Sequence, residues 1–146
     1  MQHTISEDGK NHLFKISFNG NAISAECNTD HKMIKLTFSE KNLETMETIH
    51  ILCNLPAESV VSKFSYLLSK IPYEKPTEIN FNDKLLISIY SFQLREYGSS
   101  EYIKCWRFVT DYYNTERGFD IDDINLLQQF LFDVIIIAKS LIKISK

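Results

Sequence analysis

Four histidines, His3, His12, His31 and His50, are the side chains of this chain best suited to acid–base chemistry. Imidazole changes its charge near neutral pH, so two histidines that face one substrate can act as general acid and general base. His12 and His31 lie near the ends of predicted strands and could meet across a sheet. The structural alternative is that both are exposed residues at strand ends. The sequence therefore leaves open an enzyme with a dispersed site built on His12, His31 or His50.

The motifs that would define a catalytic, metal or cofactor site are absent from the sequence. No two histidines have the i, i+4 spacing of a helical zinc site. The four glycines are isolated, whereas a phosphate-binding loop needs clustered glycines. The acidic run over residues 120–125 resembles the start of a calcium loop, but Asn125 and Leu131 stand where glycine and a bidentate acid are needed. We therefore expect no catalytic residue, no bound metal and no cofactor.

Residues 111–123 have an unusual composition. They carry five acidic side chains and one basic side chain, a net charge of −4 in a chain whose total is −3. Aromatic side chains beside charges of one sign are typical of binding surfaces, because aromatic rings supply contact area and charge speeds encounter. The alternative is a solvated loop between helices whose aromatic side chains pack into the core. We predict a partner-binding surface made of Asp111, Tyr112, Tyr113, Glu116, Phe119, Asp120, Asp122 and Asp123.

A second acidic face is predicted from Glu40, Glu44 and Glu47, if that segment is helical. The net charge of −3 is unfavourable for binding to nucleic acid or to anionic lipid, both of which attract an excess of Lys and Arg. The predicted partner is therefore a basic protein, with no nucleic acid and no membrane.

The cysteines and the lengths of the apolar runs indicate the cellular compartment of the protein. Cys27, Cys53 and Cys105 are widely separated and odd in number, which favours reduced thiols over a disulfide framework. The polar N-terminal residues do not resemble a signal peptide. The longest apolar run, residues 134–138, is far shorter than the roughly 20 residues of a membrane span. We expect a cytoplasmic protein.

Alternating apolar residues predict a three-stranded antiparallel meander, preceded by a flexible polar arm over residues 1–11. Asn19-Gly20 is a strong hairpin signal, because both residues tolerate a positive φ. Residues 28–30 predict the second turn. The side chains predicted to face the core are Phe14, Ile16, Phe18, Ile23, Ala25, Cys27, Ile34, Leu36 and Phe38.

Helical spacing of apolar residues predicts that most of the remaining chain is helical. Residues 43–53 are predicted as a helix, with a strand over 48–52 as the alternative. A helix then follows Pro56, and a short extended piece is expected over 78–81. Further helices are predicted over 83–97, over 100–117 and from 120–123 to 144, the last one apolar and central. The expected fold is α+β: a single globular domain (1–146) with the meander packed against four to five helices.

These features together favour a non-enzymatic protein-binding domain. Small size, acidic segments and absent motifs suggest a bacterial immunity or antitoxin-type protein that neutralises a basic toxin, such as a nuclease, through an acidic surface. The alternatives are the dispersed-histidine enzyme and a homo-oligomeric adaptor whose last helix forms the subunit interface. We expect a monomer or a homodimer.

Overall fold

The computed structural model describes residues 1–41, 46–95, 97–98 and 100–144. The described residues form nine strands and two helices, with each sheet followed in the chain by a helix. The first sheet comprises β1 (Gln2–Ile5), β2 (Asn11–Phe18), β3 (Asn21–Asn28), β4 (Met33–Lys41) and β5 (Glu47–Pro56), followed by α1 (Ala57–Ser69). The second comprises β6 (Thr77–Asn82), β7 (Leu85–Arg95), β8 (Tyr102–Tyr112) and β9 (Thr115–Ile121), followed by α2 (Ile124–Ile144).

The first sheet is an antiparallel meander in the order β1-β2-β3-β4-β5. Its strands β2, β3 and β4 lie where the alternating pattern predicts them. The turn at Asn19-Gly20 has a left-handed backbone at both residues, with φ of 48° and 86°, as this hairpin turn requires. The nine predicted inward side chains are all buried. Residues 2–5, within the segment expected to be a flexible arm, form β1 and pair with β2.

Strand β5 lies where the spacing predicts a helix over residues 43–53, so that helix is wrong. The alternative, a strand over 48–52, is confirmed by its antiparallel pairing with β4. Residues 42–45 lie outside the described part of the chain. Strand β5 alternates buried Ile51, Cys53 and Leu55 with exposed neighbours, and this period of two outweighs the weaker helical spacing.

The second sheet, in the order β6-β7-β8-β9, occupies the place of two predicted helices. Strands β7 and β8 are each 11 residues long and pair along their whole length, from Leu85↔Tyr112 to Arg95↔Tyr102. The helices expected over 83–97 and 100–117 are therefore wrong. Their apolar residues are largely β-branched or aromatic, a composition that favours extended backbone. The extended piece expected over 78–81 is confirmed as part of β6.

Helices α1 and α2 lie close to their predicted positions and pack against each other. The ring of Phe64 on α1 lies 6.1 Å from Phe130 on α2 and 5.9 Å from Phe81 on β6. The two sheets meet through Phe38 and Phe108, whose ring centroids are 6.0 Å apart. Both sheets and both helices thus share one core. With two helices and two antiparallel sheets among the described residues, the protein is mostly β, and the expected fold of a three-stranded meander with four to five helices is wrong.

Helix α2 contributes seven buried side chains to this core. In the described part of the chain it is the one helix long and apolar enough, by length and composition, to cross a membrane. The core helix of a globular domain has the same character, since most of its surface is covered by protein. Phe132 and Ile136 remain about half exposed on its outer side. The buried side chains are Leu127, Phe130, Leu131, Val134, Ile135, Ala138 and Leu141.

Candidate functional site

The predicted binding segment forms the end of β8, all of β9 and the approach to α2. Because side chains alternate between the two faces of a sheet, Asp111 and Glu116 point to the outer face of the second sheet, away from the core. Tyr112 and Phe119 point the other way and pack against the core. The rings of Phe119 and Phe108 are 5.2 Å apart. The strand pairing therefore divides the predicted binding residues between the two faces of the sheet. The carboxylates point outward, and two of the three aromatic side chains point inward.

The third aromatic side chain, Tyr113, lies in the turn between β8 and β9. Tyr113 and Asn114 both have left-handed backbone, with φ of 51° and 64°, which is the geometry of a two-residue hairpin turn. The Tyr113 side chain is 57% exposed, and the Lys84 ammonium lies 5.1 Å from the ring centroid. A hydrogen bond with Lys84 lowers the pKa of the Tyr113 hydroxyl. The segment that the sequence leaves as a loop between helices is therefore a tight hairpin.

Two of the predicted carboxylates are occupied by contacts within the protein. The Arg107 Nε donates to Asp120 Oδ1 at 2.5 Å across β8 and β9. Asp123 accepts a hydrogen bond from the backbone N–H of Asn125 at 3.0 Å, at the start of α2. That contact helps to satisfy the free N–H groups of the first helical turn. Asp120 and Asp123 therefore stabilise the fold in addition to contributing negative charge to the surface.

The remaining carboxylates of this segment, Asp111, Glu116 and Asp122, have no ion pair within the described residues. Asp111 and Glu116 are direct partners in the β8–β9 register. Two like charges directly opposite each other on a sheet repel and destabilise the pairing. The outer face therefore carries a pair of facing negative charges that forms no ion pair within the described residues.

A column of apolar side chains lies on the same outer face, toward the end of β7 and β8 away from Asp111 and Glu116. It follows β7 and the facing end of β8, where Leu94 and Ile103 are cross-strand partners. Leu94 is 43% exposed, Ile103 is 49% exposed and Tyr90 is 37% exposed. The Arg107 guanidinium lies 5.8 Å from the Phe92 ring, which places both on this face. We call the surface formed by Tyr90, Phe92, Leu94, Ile103, Asp111, Glu116, Asp120 and Asp122 the acidic–apolar face.

The second predicted acidic face is not helical, and its members are divided between neighbouring strands. Glu47 on β5 accepts hydrogen bonds from the Ser39 hydroxyl at 2.5 Å and from the Lys15 ammonium at 3.1 Å. These two contacts lower the pKa of the Glu47 carboxyl. Glu40 Oε2 lies 3.2 Å from His50 Nε2. Glu44 lies outside the described residues.

The Glu40–His50 pair lies in a cleft of about 250 Å³ between the two sheets. The pairing of β4 with β5 shifts between Phe38↔Ile51 and Ser39↔Ile49, which leaves His50 as the extra residue of a β-bulge. A bulge re-aims a side chain, and here His50 and Ile51 both line the cleft although they are consecutive in the strand. We call this the inter-sheet cleft; its lining is Asn21, Ala22, Phe38, Ser39, Glu40, His50, Ile51, Thr110, Arg117, Gly118 and Phe119.

The sequence does not single out the inter-sheet cleft as a site. Glu40 and Phe119 are predicted binding residues and His50 is a candidate of the enzyme alternative, but they are placed together only by the packing of the two sheets. Arg117, the single base of residues 111–123, is a lining residue that the sequence gives no reason to select. The residues that line the cleft come from β3, β4, β5, β8 and β9. No spacing of neighbouring residues in the sequence therefore predicts the cleft.

The other groups considered from the sequence lie elsewhere. His12 Nδ1 is 3.2 Å from His3 Nε2, across β1 and β2. Burial raises the pKa of the Cys27 thiol to about 12 and that of Cys53 to about 11. Both are therefore protonated, unreactive core side chains near neutral pH. Within the described ranges, no group of three or more His, Cys, Asp or Glu side chains is placed to hold a metal ion.

No protein-family model matches the chain. A search of curated proteins gives no match.

Proposed function

We propose that this chain is a non-enzymatic protein-binding domain whose acidic–apolar face docks a segment with basic side chains on one side and apolar side chains on the other. The observation that carries the proposal is that one outer sheet face holds both the like-charged pair Asp111 and Glu116 and exposed apolar side chains, which begin about 13 Å further along the strands. Each feature alone is common, but together they describe a surface with two complementary halves.

The charge of the face determines the charge of the partner. Asp111 and Glu116 face each other, and neither forms an ion pair among the described residues. A Lys or Arg side chain from a partner would relieve this repulsion and form charge-assisted hydrogen bonds. Because Glu116 is exposed and Asp111 is half-buried, the desolvation cost on binding is modest. Long-range attraction would also raise the association rate at low salt.

The apolar column predicts that the partner also presents apolar side chains. Tyr90, Leu94 and Ile103 are each more than a third exposed, and burying apolar area contributes about 25 cal/mol per Å². Strands β7 and β8 extend beyond their flanking strands, since β6 pairs with β7 only as far as Ile89 and β9 with β8 only from Trp106. This extension makes the apolar end of the face accessible. Glu116 and Asp120 lie along the opposite side, on β9, with Asp122 just after that strand and Asp111 beside Glu116 on β8.

The more specific interpretation, an immunity or antitoxin-type protein, has no support in the fold or in the surface. The dispersed-histidine enzyme is not favoured either, since His12 pairs with His3 and His50 with Glu40 on different parts of the first sheet. The homo-oligomeric alternative through α2 has less support than the acidic–apolar face. Most of the apolar side chains of α2 are already used in the core.

The test uses a synthetic amphipathic peptide of Lys and Leu, with a Glu and Leu peptide of the same pattern as the control. We expect the Lys peptide to shift backbone amide NMR signals of β7, β8 and β9, with an affinity that falls as salt is raised. The double variant Asp111→Lys with Glu116→Lys should weaken binding by about tenfold or more. The matched double variant Glu7→Lys, in the β1–β2 turn, with Glu26→Lys, on β3, changes the net charge equally away from this face and should bind as the wild type does.

Two results would remove the proposal. One is equal binding of the Lys and Glu peptides. The other is equal loss of affinity in the two double variants, which would show that net charge and not this face determines binding. Affinity capture from host cells with the wild type and with both double variants extends the test to the natural partner. That partner should be retained by the Glu7/Glu26 variant and lost by the Asp111/Glu116 variant.

A further inference from the structure

The inter-sheet cleft is a second candidate site, independent of the acidic–apolar face. Glu116 and Arg117 are consecutive in β9 and therefore point to opposite faces of the second sheet. Glu116 points outward, whereas Arg117 lines the cleft together with Thr110, its partner on β8. A substitution that abolishes binding on one face of β9 therefore leaves the site on the other face intact.

The cleft holds two oppositely charged side chains, the Glu40 carboxylate and the Arg117 guanidinium, and the guanidinium is the group that can bind an anion. The Glu40 carboxylate is engaged by His50 at 3.2 Å, and 18% of the His50 side chain is exposed. The Arg117 guanidinium has no ion pair among the described residues. A guanidinium presents two parallel N–H donors that match the two oxygens of a carboxylate. The cation left without a partner in the cleft is therefore one suited to carboxylate recognition.

The apolar part of the lining, which lies among the polar side chains of Asn21, Ser39 and Thr110, can cover an apolar body attached to that anion. Phe38 and Ile51 are buried in the floor of the cleft, and Phe119 forms part of its wall. The cleft volume of about 250 Å³ lies near the lower end of the roughly 300–1,000 Å³ typical of ligand pockets. This space suits a small molecule rather than a peptide or a nucleotide. Apolar side chains combined with convergent polar groups are typical of small-molecule sites.

We propose that the inter-sheet cleft binds a small carboxylate with an aromatic or branched apolar body. Arg117 holds the carboxylate through a two-pronged contact, while Phe38, Ile51 and Phe119 cover the apolar body. His50, aimed into the cleft by the bulge of β5 and oriented by Glu40, supplies a further polar contact. Binding at this site would join residues of both sheets around one ligand.

The experiment is a titration of the full chain with benzoate, followed by backbone amide NMR. We expect saturable shifts centred on cleft residues, with a dissociation constant in the range of about 1 mM. Benzyl alcohol, which has the ring without the charge, and inorganic phosphate, which has the charge without the ring, should each bind at least about tenfold more weakly. Arg117→Gln should weaken benzoate binding by about tenfold. Arg117→Lys keeps the charge and loses the paired donors, so its affinity for benzoate should lie between that of the wild type and that of Arg117→Gln.

Arg95→Gln, the same substitution on the β7–β8 hairpin, is the matched control and should bind benzoate as the wild type does. Circular dichroism of each variant checks that the fold is retained. No shift of cleft residues at about 50 mM benzoate would overturn the proposal. So would equal affinity for benzyl alcohol or phosphate, or unchanged benzoate affinity in Arg117→Gln.

Discussion

At the scale of single residues, the direction of a side chain decides its role more than its type does. Asp111, Glu116 and Asp120 are chemically alike, yet only Asp120 has an arginine partner among the described residues. Glu116 and Arg117 are neighbours in sequence and face different sites. The sequence identifies an acidic segment, but it gives no means of distinguishing a carboxylate that stabilises the fold from one that is available to a partner.

The unpaired acids lead to a prediction about stability. Glu116→Gln removes one of two like charges that face each other, so we expect the free energy of unfolding to rise by about 0.5 kcal/mol. Glu26→Gln is the control, because Glu26 lies 3.7 Å from Lys35, an opposite charge. That substitution should leave stability unchanged or slightly lower. Urea denaturation at low salt measures both; a loss of stability in Glu116→Gln would show that its carboxylate has a favourable role in the free protein.

At the scale of elements, the main error from sequence concerns β7, β8 and β9. Ile103, Trp106 and Val109 recur at helical spacing, and Gly98 resembles the end of a helix. In the structure Trp106 and Phe108 are buried inward while Val109 faces outward. Both faces of these strands carry apolar residues, so the alternation is weak. The turn at Tyr113-Asn114 has no glycine to indicate a hairpin.

The contacts of Glu47 on β5 with Ser39 on β4 and Lys15 on β2 lead to a prediction about how stability depends on pH. The pKa of Glu47 is lowered mainly by the Ser39 hydroxyl and then by Lys15. A carboxyl with a depressed folded-state pKa stabilises the fold above its unfolded pKa, and that contribution is lost as pH falls through the folded value. Ser39→Ala should therefore cost about 1 kcal/mol near pH 7. The difference from the wild type should shrink between about pH 5 and pH 3.

Denaturation by urea across this pH range measures the effect. Ser24→Ala, on the adjacent strand β3, is the matched control and should show a pH profile parallel to that of the wild type. A constant difference between Ser39→Ala and the wild type at all pH values would contradict the linkage to Glu47.

At the scale of the whole molecule, α2 joins the two sheets around one core. Phe130 and Phe132 are two residues apart on this helix, at 1% and 51% exposure. Phe130→Ala should lower the free energy of unfolding by about 3–4 kcal/mol, because it leaves a cavity beside Phe64. Phe132→Ala should change stability by less than about 0.5 kcal/mol. Chemical denaturation of the two variants measures the contrast, and equal losses would contradict the central position of α2.

The sequence by itself determined the features that depend on local pattern. The strands β2 to β4 follow from strict alternation and an Asn-Gly turn, and α1 and α2 follow from long helical periodicity. These signals are contained in neighbouring residues, so they survive without tertiary context. Only the tertiary structure decided that β5 and β7 to β9 are strands, because pairing with distant segments outweighs a weak local preference. The same long-range pairing set the direction of Glu116 and Arg117, and the packing of one sheet against the other brought Glu40, His50 and Arg117 to a single cleft.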